Sequence, residues 1–193
     1  MVRMRVELVD VHCRDTEDVT GGDEFYIVGA VGLAPMGKKE NDDLKIRGVL
    51  TRPISINDKQ TKKFGQGGGT VFDSDVPENR ILQIALVAFD EDSNKDWSNH
   101  GETVTKIGAG VSAALLATPV PPAKVAGLIL PVAIGVVGGI MKMDKDDELG
   151  QHLREFPVQS LPNGSHLQIW NFKKRGSWYS SWDYTVRYRI HKG

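Results

Sequence analysis

The stretch Ile81-Leu-Gln-Ile-Ala-Leu-Val-Ala-Phe89 is apolar at both odd and even positions, and it stops abruptly at Asp90-Glu-Asp92. A short run with no polar face fits a central β-strand covered on both sides, not a half-exposed one. The chain must therefore build a sheet with material packed above and below it. The same strand delivers Asp90 to the rim of that sheet.

The neighbouring segments supply the partners. Val2, Met4, Val6 and Leu8 alternate with Arg3, Arg5 and Glu7, the pattern of a half-buried strand. The phase slips near Val9, because Val9, Val11 and Cys13 continue on odd numbers; a β-bulge or burial of both faces accounts for this. Phe25–Val31 is rich in strand-forming residues, and further strands are expected near 44–51, at Val71-Phe72 and over Leu167–Phe172. Leu161-Pro-Asn-Gly164 reads as a turn. Trp182, Tyr184, Val186, Tyr188 and Ile190 alternate cleanly with Asp183, Thr185, Arg187 and Arg189, the clearest strand signal in the chain. Short strands separated by polar loops predict a mainly β protein, an antiparallel β-sandwich.

A length of 193 residues suffices for one domain carrying a large insertion. Net charge is −1, so no general electrostatic attraction to nucleic acid is expected. The single cysteine, Cys13, excludes an internal disulfide and is expected to be a buried thiol. The alternating N-terminus reads as a strand, not a secretory signal, and a soluble or peripheral membrane protein is expected.

Residues 104–143 differ in character. Ile107–Ala123 and Val125–Met141 are uncharged runs of 17 residues each, and Thr118-Pro-Val-Pro-Pro122 lies within the first. Proline at that density ends a helix and forces a turn. The expectation is a hydrophobic helical hairpin over 97–143, inserted into a discontinuous sandwich domain of 1–96 and 144–193. A 17-residue helix spans about 26 Å against a bilayer core of about 30 Å, so membrane insertion is physically feasible. Burial against the chain's own sandwich or between protomers is the alternative for a helix apolar all round.

The hairpin separates two acidic pieces, Asp90–Asp96 and Asp144-Lys-Asp-Asp-Glu-Leu-Gly150. Calcium takes roughly six to eight oxygen ligands, more than one short loop supplies outside an EF-hand, and no EF-hand pattern is present. Several strand ends meeting at one rim provide another route, and Asp23, Asp90 and the 144–147 knot stand at such ends. This arrangement resembles the C2 domain, a calcium- and lipid-binding β-sandwich. The resemblance rests on Gly22-Asp-Glu-Phe-Tyr-Ile-Val28 after the first acidic loop, on Phe89-Asp-Glu-Asp92, and on Asp147-Glu-Leu-Gly150. It covers residues 2–92 and 144–192 in outline; the departure is the roughly fifty residues between the two halves of the third loop. It implies Ca2+ ligation by Asp23, Asp90, Asp92 and Asp147, with Asp18, Asp96 and Asp146 as further candidates.

In that family the third calcium loop touches lipid, and here the same loop carries the hairpin. The resemblance therefore implies a membrane partner with anionic headgroups. Trp97, Ile107, Leu115, Leu116, Leu128, Ile129, Leu130 and Ile134 are the expected membrane contacts. Two other functions stay open: a pore-forming effector that oligomerises through the hairpin, and an assembly subunit with the hairpin buried between protomers of a homo-oligomer. No zinc pair, nucleophile elbow or phosphate-binding loop is present in the sequence, and an enzyme is not expected.

Overall fold

The computed structural model describes residues 1–16, 22–36, 45–65, 69–91, 100–117, 135, 147–176 and 181–193. Two antiparallel five-stranded sheets pack face to face. The first is centred on β1 (Val2–Asp15), which pairs along one side with β10 (Trp182–Lys192) and along the other with β5 (Thr61–Lys63) and β6 (Thr70–Val76). β9 (Gly164–Lys174) pairs β10 and forms the far edge. The second sheet runs β3 (Lys45–Leu50), β2 (Asp23–Pro35), β7 (Arg80–Asp90), β8 (Asp147–Pro157), with β4 (Ile54–Ile56) beside the start of β2.

The core lies between the sheets. The even positions of β10, from Trp182 to Ile190, face inward and are nearly fully buried, as their alternation predicts. They meet Phe25, Ile27, Leu82, Ile84 and Leu86 from the opposite sheet. The slip in β1 is a register shift between Leu8 and Asp10. Before it Met4, Val6 and Leu8 point into the core; after it Val11 and Cys13 do. Asp10, buried at this irregularity, accepts two hydrogen bonds from Arg187, at 2.6 and 2.7 Å. The bidentate pair meets the demand that a buried charge be matched.

β7 is central, paired on both sides, and buried at every position except Ile81. Its outer face belongs to a second apolar layer of Tyr26, Val28, Val87, Phe89 and Ile107. Ile107 comes from α1 (His100–Ala117), which crosses β3. The approach is backbone to backbone: a Cβ on Gly48 would lie 2.1 Å from the Val104 carbonyl oxygen and 2.9 Å from the Gly108 nitrogen. Only a strand glycine meeting a helix glycine permits this distance.

Of the expected hairpin, α1 is the only helix of that segment delimited among the described residues. Residues 118–134 and 136–146, which hold the proline turn and most of the second apolar run, lie outside the described residues. Ile107, expected to face lipid, is instead fully buried against the sandwich, as is Val111 one turn on. The cause is the Gly48–Gly108 contact, which brings that face of the helix down onto β3. No helix among the described residues is long and apolar enough to cross a membrane.

Candidate functional site

Several strand ends converge at one rim of the sandwich. β2 begins there with Asp23, β7 ends there with Asp90, and β8 begins there with Asp147. Phe25, Asp90 and Asp147 form one row across β2, β7 and β8, each directly opposite the next. Residues opposite each other in a ladder project on the same face, so the two carboxylates are cross-strand neighbours. The halves of the acidic motif, separated in sequence by the apolar segment, thus meet in space.

Local contacts hold each piece. The Glu24 backbone amide donates to Asp90 Oδ1 at 2.8 Å, and the Glu91 amide donates to the Glu24 carbonyl at 3.2 Å. The start of β8 is fastened to the other sheet. Trp182 Nε1 donates to the Leu149 carbonyl at 2.8 Å, and Gly150 gives way to the Phe172 ring, which a Cβ would meet at 2.9 Å. A register shift between Ala88 and Phe89 lets β8 bring Asp147 opposite Asp90.

Asp23 and Asp90 are both buried, and Asp23 is set apart by its partner across the core. It is fully buried, and the Tyr184 hydroxyl donates to its Oδ2. Burial, then this bond to Asp23, pushes the Tyr184 hydroxyl well above the usual phenol range. Cys13 lies beside the pair, its thiol pushed up to about 12, chiefly by burial. Cys13 is therefore a structural thiol at the floor of the rim, held protonated at neutral pH. Asp147, by contrast, is exposed.

A third loop reaches the same rim. Asp23 pairs with Ile56 at the end of β4, and the turn that follows carries Asn57 and Asp58. Asp58 Oδ1 accepts from the Thr16 amide at 2.8 Å and from the Thr16 hydroxyl at 3.0 Å, tying the end of β1 to the turn. Gly22 lies against Asn57, whose Oδ1 a Cβ would meet at 2.6 Å. Sequence reasoning passed over Asn57 and Asp58. The available signal was an Asn-Asp turn pair just after Ile56, with Lys59 at φ 61° completing the bend.

The donors gathered here are carboxylate oxygens, which suits a hard cation such as calcium and not a softer metal. Among the described residues no group of three or more His, Cys, Asp or Glu side chains is placed to hold a metal ion. Asp18, Asp92, Asp96 and Asp146 lie outside the described residues. So do Trp97, Leu128, Ile129, Leu130 and Ile134; Leu115 and Leu116 fall in the last turns of α1.

By structure the chain is similar to human GIVD cytosolic phospholipase A2 in complex with methyl gamma-linolenyl fluorophosphonate, with a TM-score of 0.42 and 8% identity. That match covers 99% of this chain and 17% of the phospholipase chain. It is also similar to a C2 domain of plant Extended Synaptotagmin 1, with a TM-score of 0.35 and 8% identity over 98% of this chain and 92% of that one. No protein-family model and no curated protein matches the sequence.

Proposed function

We propose that the chain is a C2-like, non-enzymatic module that binds Ca2+ at this rim and associates with anionic membranes through the apolar segment beside it. The observation that carries the reading is the placement of Asp90 directly opposite Asp147. Like charges facing each other across a ladder destabilise it, and a divalent cation removes that cost. Asp92, Asp96 and Asp146 flank these two positions in sequence, and Asp18 belongs to the loop that ends at Gly22. Together with Asp90 and Asp147 they form the proposed ligand set. Asp23, turned into the core toward Tyr184, is assigned the floor of the site.

In this reading calcium neutralises the rim and bridges to lipid phosphates, which lets the adjoining apolar residues approach the bilayer. Ile107 and Val111 are engaged with the sandwich. The lipid-facing role therefore passes to Trp97, Leu115, Leu116, Leu128, Ile129, Leu130 and Ile134. The test is flotation with phosphatidylserine-containing vesicles, in calcium and in chelator. The expected result is calcium-dependent flotation that Asp90→Asn with Asp147→Asn abolishes. Flotation in calcium that survives both substitutions unchanged overturns the coupling.

A further inference from the structure

At the end of the sandwich opposite the acidic rim, a pocket of about 440 Å3 opens where β1 starts, β10 ends and β9 begins. Its wall includes one row across four strands: Asp73 is opposite Arg5, Arg5 is opposite His191, and His191 is opposite Ser165. Residues in one row share a face, so a guanidinium, an imidazole and a hydroxyl are presented together on the outer surface of the first sheet. Three carboxylates stand nearby, and each is engaged. Asp73 takes Arg3 Nε at 2.6 Å, and Glu7 takes His191 Nε2 at 3.3 Å. Asp75 is held by Arg3 Nη1 at 3.2 Å. Lys192 turns inward, its ammonium donating to the Val158 and Leu161 carbonyls at 2.9 Å each. That leaves Arg5 exposed, with no ion pair to a carboxylate among the described residues.

We propose that this pocket binds a phosphate monoester. A monoester near neutral pH carries about −1.5 to −2 charges and three acceptor oxygens, which matches three donors drawn from three strands. The planar guanidinium of Arg5 can take two of those oxygens at once, Ser165 supplies a hydroxyl, and His191, its Nε2 held by Glu7, has Nδ1 left to face the ester. The same outer face continues along β9 with Leu167 and Ile169, which are 50% and 56% exposed and stand opposite Arg189 and Arg187. Two aliphatic side chains bare to water beside a phosphate pocket favour a phosphate carried on a lipid headgroup over a freely soluble one.

The site is remote from the rim and needs no calcium, so it stands or falls independently of the function proposed above. The experiment is done in chelator, with glycerol 3-phosphate titrated by calorimetry and phosphatidylcholine vesicles doped with phosphatidic acid assayed by flotation. Both probes are expected to bind. Arg5→Gln is expected to weaken both by at least about tenfold, the loss of one bidentate charge-assisted contact. Lys173→Gln, an exposed cation at the far end of β9, controls for general charge and is expected to change neither. Leu167→Ser with Ile169→Ser is expected to lower flotation while leaving the glycerol 3-phosphate titration intact. Retained glycerol 3-phosphate binding without flotation still supports the phosphate site and assigns it to a soluble ester. Equal losses in Arg5→Gln and Lys173→Gln, or no binding of either probe, overturn the proposal.

Discussion

Tyr184 and Asp23 join the two sheets across the core through one hydrogen bond, and the bond sits beneath the rim. Phe25 and Phe172 pack against the Tyr184 ring, with centroids at 5.2 and 5.7 Å, so the hydroxyl is aimed by aromatic packing. Tyr184→Phe keeps the packing and removes this donor from a buried carboxylate. It is expected to cost about 1–3 kcal/mol, read by denaturant unfolding. His152 sets a pH dependence. It is buried, stacked on Trp170 with centroids 5.0 Å apart, and joined through Nε2 to the Tyr188 hydroxyl at 2.9 Å. Burial, followed by Arg154, lowers its pKa from 6.5 to about 4. The unfolded chain therefore takes up this proton first on acidification. The stabilisation is complete above about pH 6.5, declines as pH falls toward about 4, and changes no further below that. The full effect is roughly 3 kcal/mol at most. Thermal unfolding across that range is expected to show the slope, and His152→Gln to flatten it; an unchanged slope assigns the acid sensitivity to other groups.

At the scale of elements, the docking of α1 depends on one strand position. Gly48→Ala places a methyl group into the Val104 carbonyl, so the helix must lift and Ile107 and Val111 lose their cover. The expected cost is about 1–3 kcal/mol. Hydrogen exchange is expected to rise throughout α1 while β1 and β10 stay protected, and uniform loosening of the sheets instead argues against local release. This contact was not legible in the sequence. A helix apolar on every side has to be covered, but its composition does not say by what. The deciding residue was a glycine in a strand, whose partner is known only once the chain is folded. β10 was legible because its eleven positions establish a period, and β7 because an unbroken apolar run of strand length has no face to expose. The bulge in β1 was legible as a slip in that period near Val9. β4 and β5 have three residues each and establish no period. The start of β8 was legible at the acidic knot, but its course stayed hidden because it is an edge strand with mostly exposed side chains, and a register shift near Leu149 breaks what alternation it has.

For the whole molecule, the question is how a rim assembled from distant segments responds to its ion. The sequence located Asp90 and Asp147 as strand ends, because an apolar run must stop where the charge begins. It did not show that they would face each other, since that depends on the pairing of β7 with β8 across the inserted segment. It also missed Asp58, because a turn residue has no apolar pattern to mark it. The rim spans the beginning, middle and end of the chain, so a bound ion cross-links segments that separate on unfolding. Calcium at about a hundredfold over its dissociation constant adds roughly 2.7 kcal/mol. For a chain of this size each kcal/mol raises Tm by about 2–4 °C, so a rise of roughly 5–10 °C is expected on adding calcium. Asp90→Asn with Asp147→Asn is expected to remove that rise and, by relieving the facing charges, to leave the calcium-free protein no less stable than the parent. A calcium-induced rise that persists in this variant places the ion elsewhere on the molecule. The absence of any rise in the parent at millimolar calcium removes the rim as a calcium site, while the opposite end of the sandwich keeps its own, calcium-free test.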